Sequence, residues 1–206
     1  MLTRIAVFVS GGGTNLQALL DAQAAGKIPS GEIVLVVSSN STAYALRRAE
    51  TAGVKSAVVQ RSVCGSQSAF EEALSAVLSE NQIDMIVLAG FMSILSGAFT
   101  AAWAGRIINV HPSLIPSFCG KGYYGLRVHE AALAKGVKVT GATVHYVNEV
   151  PDGGEILLQK AVEVQPDDTP EVLQRRVMEQ AEWILLPQAT EMVAAKLKAE
   201  KEGSRT

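Results

Sequence analysis

Histidine and cysteine are scarce in this chain, and their scarcity removes whole classes of chemistry. The histidines are His111, His129 and His145, and no two of them stand at metal-pair spacing. The cysteines, Cys64 and Cys119, form no C-x-x-C pattern and are too few for a disulfide framework, which suits a reducing compartment. No metal site is therefore expected. A serine-hydrolase G-x-S-x-G elbow is missing, as is the Gly-Lys-Ser/Thr ending of a nucleoside-triphosphate loop. No apolar run reaches membrane-spanning length, and Met1–Ile5 leads into a strand-like segment without the layout of a signal peptide. A net charge of −2 gives no electrostatic footprint for nucleic acid or an anionic membrane. The expectation is a cytoplasmic, single-domain protein of 206 residues.

What is present alternates between short apolar runs and helical periodicity. Ile5–Val9 reads as a strand, Ser10-Gly11-Gly12-Gly13-Thr14-Asn15 as a loop, and Leu16, Leu19 and Leu20 as the buried stripe of a helix. That order aims backbone N–H groups and a helix N-terminus at an anion; it also suits a tight turn with Thr14 or Asn15 as N-cap. A dinucleotide fingerprint is excluded: Leu16 occupies the third glycine position, and the next strand, Ile33–Val37, ends in Ser38-Ser39-Asn40 without a carboxylate. A single phosphate monoester fits better. Further units follow as helix Ala43–Ala52, strand Ser56–Val59, helix Ala69–Ser79 (Phe70, Leu74, Val77 and Leu78 on one face), strand Met85–Ala89 and helix Phe99–Ala102. Successive βα units of this length imply a mostly parallel sheet covered on both faces.

The eight residues Asn109-Val-His-Pro-Ser-Leu-Ile-Pro116 follow the apolar Arg106-Ile107-Ile108. Alternation along a strand puts Asn109 and His111 on one side and Val110 on the other, and Pro112 ends the strand. An amide and an imidazole then project from a strand's carboxyl end, where α/β sheets bind ligands. Read alone, the pair serves a satisfied turn equally well. Beyond Pro116 come a glycine- and aromatic-rich loop, a helix over His129–Leu133, and two strands, Val139–Val147 and Ile156–Val164, expected to be antiparallel. Asn148-Glu-Val-Pro-Asp-Gly-Gly154 joins them. Thr169 begins a long helix that turns Val172, Val177, Leu185 and Leu186 towards the body, and from about Lys196 its charged end is expected to fray. Asn109, His111 and Asp152 form a set that can hold an oxyanion and move a proton without a covalent intermediate.

Four stretches, Ser10–Asn15, Leu88-Ala-Gly-Phe-Met92, Asn109–Pro116 and Asp152-Gly-Gly154, resemble in that order the folate-dependent formyltransferases, and among them the phosphoribosylglycinamide formyltransferases of purine biosynthesis. The likeness runs from roughly Arg4 to Pro187. It implies a Rossmann-like twisted sheet with an antiparallel C-terminal extension, residues 1–110 forming the phosphate-binding half, 111–195 the folate side and 196–206 a charged tail. It implies formyl transfer from 10-formyltetrahydrofolate to glycinamide ribonucleotide, metal-free and through a tetrahedral intermediate, by a monomer or weak homodimer. Gly13, Thr14 and Asn15 would bind the acceptor's phosphate and Glu182 would contact the acceptor. The folate would meet Gln67, Met92, Ser93, Ile94, Leu95, Asn109, Asn148, Glu149, Val150, Pro151 and Asp152. Asn109 and His111 would stabilise the oxyanion, Asp152 would keep His111 protonated and help move the proton, and His145 would order the folate-side loop or serve as a strand hydrogen-bonder. Three positions depart from the pattern: Ser93 replaces an arginine, Gln67 falls near a usual basic residue, and Trp183 replaces a histidine after a spacing from Arg176-Val177 that is one residue longer.

Two relatives in chemistry fit less well. A methionyl-tRNA formyltransferase needs an RNA-binding region and a basic excess, and a formyltetrahydrofolate hydrolase usually carries a regulatory domain before its first strand. A phosphate-binding module without catalysis has no use for Asn109, His111 and Asp152 together.

Overall fold

The structure is a computed structural model describing residues 1–203. Its centre is a seven-stranded sheet in the order β3-β2-β1-β4-β5-β6-β7. The strands are β1 (Thr3–Val9), β2 (Gly31–Ser38), β3 (Lys55–Val58), β4 (Met85–Leu88), β5 (Ile107–His111), β6 (Val139–Tyr146) and β7 (Ile156–Glu163). The first five are mutually parallel; β5 pairs antiparallel with β6, and β6 with β7. The helices are α1 (Thr14–Ala24), α2 (Ala45–Thr51), α3 (Arg61–Cys64), α4 (Gln67–Glu80), α5 (Gly97–Ala102), α6 (Leu126–Lys135), α7 (Pro170–Val177) and α8 (Trp183–Gly203). A π-helical turn, Met178–Glu182, joins α7 to α8.

Ile5–Val9 are fully buried because helices cover both faces of the sheet, so β1 reads as a continuous apolar run rather than an alternating one. One face collects Ile5, Val7, Val36, Ile108 and Val110 under α1 and α8. The other collects Phe8, Leu35, Ile86 and Ile107 under α4. Strand order reverses at β1, which lies between β2 and β4, and ligands of open α/β sheets bind at such a switch point. The loops after β1, β4 and β5 all leave the sheet at this carboxyl edge.

Several boundaries shift from expectation. Thr169 does cap α7, its hydroxyl accepting from the Val172 amide, but Val172 itself is 49% exposed and Leu173 takes the buried position. Neither Thr14 nor Asn15 caps α1. Gly13 does, in the left-handed region at φ 72°, and no side chain bonds the first turn. The short helix α3 forms in a stretch without apolar periodicity. Residues 196–203 continue α8: Leu197 is buried and Lys201 meets Asp84 at 2.5 Å. The remainder of the expected tail, 204–206, lies outside the described residues.

Candidate active site

Strand alternation builds the centre. Ile108 and Val110 belong to one apolar cluster and Ile107 to the other, so Asn109 and His111 share the Ile107 side as β5 ends. Antiparallel register then sets His145 of β6 opposite Asn109 and Thr143 opposite His111. The Thr143 hydroxyl donates to the Ser113 carbonyl and accepts from the Ile115 amide, tying the turn after His111 to β6.

Asp152 arrives from the β6–β7 connection with its backbone at φ 55°, the left-handed region that non-glycine residues seldom occupy. The two glycines behind it are required by space. A Cβ on Gly154 would stand 1.7 Å from the Tyr146 carbonyl oxygen, and one on Gly153 2.7 Å from Val150 Cγ1. The Asp152 carboxylate then reaches both histidines: His111 Nδ1 lies 3.4 Å from Oδ2, and His145 Nε2 lies 3.6 Å from Oδ1. A third contact is the Gly120 amide, which donates to Oδ2 at 2.8 Å.

Carbonyl partners settle the ring protons. His111 Nε2 donates to the Phe118 carbonyl at 2.9 Å, and His145 Nδ1 donates to the Tyr146 carbonyl at 2.8 Å. Carbonyls only accept, so in each ring the remaining nitrogen is the one that faces Asp152. The Asn109 amide nitrogen lies 3.3 Å from His145 Nε2. Burial by itself would raise the Asp152 carboxyl; the His145 hydrogen bond, the His111 charge and the Gly120 amide outweigh it and hold the group below its ordinary range.

The three expected catalytic side chains thus converge, and sequence reasoning left His145 out of the set. Its signal was latent: once β5 and β6 pair, alternation makes residues 109 and 145 neighbours, but no sequence pattern fixes that register. The loop contacts of Phe118 and Gly120 use backbone atoms and leave no side-chain signal at all.

Beside this centre lies a cavity of about 140 Å3. It is lined by Leu88, Phe91, Ser93, Ile94 and Leu95 from β4 and the loop after it, by Asn109, His145 and Val147, and by the Asn148–Asp152 loop. Of the expected folate residues, Met92 and Gln67 stand outside the lining. Met92 is 54% exposed at the rim, its amide bonded to the Ser10 hydroxyl. Gln67 supports the rim from behind, its amide donating to the Ile94 carbonyl at 3.1 Å and to Glu71.

The glycine loop lies across the carboxyl edge of the sheet. Gly13 admits no side chain, since a Cβ would meet Ala45 Cβ at 2.6 Å. The Thr14 hydroxyl points to Met178 Sδ at 3.7 Å. The Asn15 side chain is turned inward and donates to Glu182 Oε2 at 2.7 Å, while its own Oδ1 is buried without a partner. The backbone N–H of Asn15, in the first turn of α1, stays available to an anion. Burial pushes the Glu182 carboxyl up to about 7, although the Asn15 amide pulls the other way. The extra residue between Arg176-Val177 and Glu182 is absorbed by the π-helical turn, which lets α7 and α8 both keep buried faces while Glu182 meets Asn15.

A sequence model described as formyl transferase matches residues 3–190. The chain belongs to the formyl transferase family. Phosphoribosylglycinamide formyltransferase from Haemophilus influenzae is 41% identical over 179 residues, 87% of this chain and 82% of that one. The trifunctional purine biosynthetic protein adenosine-3 of Gallus gallus is 45% identical over 194 residues, 93% of this chain but 18% of the relative, so this chain spans about a fifth of that protein's length. Among solved structures, glycinamide ribonucleotide transformylase 1 from Symbiobacterium toebii superimposes with a TM-score of 0.88 at 40% identity, covering 95% of this chain and 89% of that one. The fold of this family member is therefore that of the solved transformylase: mostly parallel, with antiparallel C-terminal strands, flanked by helices. Among the described residues no helix is long and apolar enough to cross a membrane, and no three His, Cys, Asp or Glu side chains group as metal ligands.

Proposed function

We propose that this chain transfers the formyl group of 10-formyltetrahydrofolate to the amine of glycinamide ribonucleotide. The observation that carries the reading is the convergence of Asn109, His111 and Asp152 beside the cavity between the Gly90–Leu95 and Asn148–Asp152 loops. That cavity fits a flat heteroaromatic ring: Phe91, Leu95 and Val147 are apolar walls, and exposed loop backbone supplies donors and acceptors at the edge. When bound there, the folate supplies an activated one-carbon unit. The glycine loop and α1 N-terminus suit the acceptor's phosphate through the amides of Gly13, Thr14 and Asn15. Glu182 and Asn15 Oδ1, both buried acceptors, suit hydroxyl donors of the acceptor's sugar.

The residues divide the work as follows. Phe118 fixes His111 Nε2, so Nδ1 is the nitrogen that acts, and it lies on the Asp152 side. Asn109 Nδ2 and a proton on His111 Nδ1 donate to the formyl oxygen as it gains negative charge. The Asp152 carboxylate, held ionised, stabilises that imidazolium and relays one proton from the attacking amine to the departing folate nitrogen. One C–N bond forms, one breaks, and no oxidant or reductant is needed. His145 Nε2, 3.6 Å from the second carboxylate oxygen and 3.3 Å from the Asn109 amide nitrogen, packs between Asp152 and Asn109 and spaces them.

The test is a transfer assay with purified protein, glycinamide ribonucleotide and 10-formyltetrahydrofolate, following formylated ribonucleotide and free formate separately. Formylated product in step with folate release is expected. Formate alone would make the chain a hydrolase, and no turnover would reject the reading.

A further inference from the structure

The glycine loop has a charge deficit. A phosphate monoester near neutral pH carries between one and two negative charges, a helix N-terminus offers roughly half a positive one, and residues 10–15 contain no lysine or arginine. Cations on nearby elements are largely engaged: Arg47 pairs with Glu50, Arg175 with Glu179 and Arg176 with Asp168. Arg48 of α2 is different. Its Nε donates to the Gly12 carbonyl at 2.8 Å and its Nη1 to Gln17 Oε1 at 3.0 Å, both neutral oxygens. Among the described residues no carboxylate pairs with it.

Its placement is fixed. The guanidinium lies over the Tyr44 ring, 5.1 Å from the centroid, and its stem passes the loop so closely that a Cβ on Gly13 would come within 3.4 Å of Arg48 Cδ. Thr14, Gln17 and Arg48 line one groove of about 590 Å3 between α1 and α8, with Asp21 and Lys27 further along it, a turn or more of α1 beyond Thr14. Two of the five guanidinium N–H groups are spent on the loop and α1, which leaves three for a ligand.

We propose that Arg48 is the phosphate-binding cation of the acceptor site, a fork pre-positioned by Gly12, Gln17 and Tyr44 to meet a phosphate seated on the Gly13–Asn15 amides. This rests on the formyl-transfer reading and adds the residue that selects a phosphorylated acceptor over its dephosphorylated form. A purely structural Arg48, one that only braces the loop, would act equally on both acceptors.

The experiment compares Arg48→Gln and Arg48→Lys with the unaltered chain, using glycinamide ribonucleotide and the corresponding phosphate-free riboside. Arg48→Gln is expected to lower kcat/KM for the ribonucleotide about 10- to 100-fold, through KM, while KM for the folate stays put. The ratio of ribonucleotide to riboside efficiency collapses by the same factor, and Arg48→Lys, which keeps the charge but loses the fork, falls between. Calorimetric binding of the ribonucleotide without folate gives the same ordering independently of turnover. Equal losses on both acceptors, or no loss in either assay, would overturn the assignment. If the unaltered chain binds the ribonucleotide but makes no product, the formyl-transfer reading fails and the binding series still decides Arg48.

Discussion

At the scale of single residues, the carboxyl groups of Asp152 and Glu182 are pushed in opposite directions. Asp152 has the Gly120 amide and two histidines beside it and is held below its ordinary range; Glu182 has one amide and full burial, and its carboxyl rises to about 7. Glu182→Gln keeps the shape and the bond to Asn15 after an amide flip. Below pH 4.5 the carboxyl is protonated whether folded or not, so the variant and the unaltered chain are expected to unfold alike. As pH rises towards 7 the unfolded chain ionises while the folded one keeps its proton, and the unaltered chain loses stability. Above that range the variant is expected to be more stable by about 2–4 kcal/mol, read from denaturant midpoints at pH 5 and 8. Parallel profiles would mean that Glu182 is solvated. His129, lowered to about 4 by burial and by the His111 charge, gains stability with rising pH over much the same window and masks the Glu182 share unless the variant is compared. Gly13→Ala is a second residue-scale test. A methyl group placed 2.6 Å from Ala45 Cβ at φ 72° must displace the loop, so KM for the ribonucleotide is expected to rise at least tenfold with KM for folate little changed. Equal effects on both substrates would detach the loop from phosphate binding.

At the scale of elements, the π-helical turn is the device that adapts this chain to its own spacing. Deleting the exposed Glu179 restores the shorter spacing and an α-helical path, and because the π-turn holds its extra residue without changing the phase of the flanking helices, α7 keeps the same face towards the body. Leu173 and Val177, both fully buried, would stay in the core. The deletion is therefore expected to cost less than about 1 kcal/mol in a denaturant titration; a loss of about 3–5 kcal/mol would show that the buried face of α7 depends on the extra residue. Elements also explain what could be read from sequence. The glycine loop, the β4 loop and the Asn109–Pro116 run were legible because each depends on local residue types: glycine where a Cβ collides, proline where a strand stops. Asp152 was legible from its glycines. The inward turn of Asn15, the capping by Gly13, the exposure of Val172 and the pairing of His145 with Asn109 were not, because each is decided by which distant element packs alongside. The π-turn shows both sides: the extra residue is plain in the sequence, and its accommodation is not.

At the scale of the whole molecule, the sheet's switch point brings three loops from distant parts of the chain to one edge, and α8 crosses the sheet to close the acceptor side. Its last turns reach back to β4, where Lys201 meets Asp84, with Leu197 buried beneath. Truncation after residue 195 is expected to destabilise the protein by about 2–3 kcal/mol through the lost burial, with kcat at 25 °C nearly unchanged because the site lies at the other end of the strands. A large fall in kcat would tie the helix end to catalysis. The central claim, that a carboxylate-backed imidazole and an amide drive transfer of the formyl group, is tested most directly by single-turnover kinetics of Asp152→Asn with both substrates saturating. The expected result is a fall in the chemical step of about 100- to 10,000-fold with both substrates still bound. A variant that transfers formyl at close to the unaltered rate would contradict the account and leave Asp152 a turn residue.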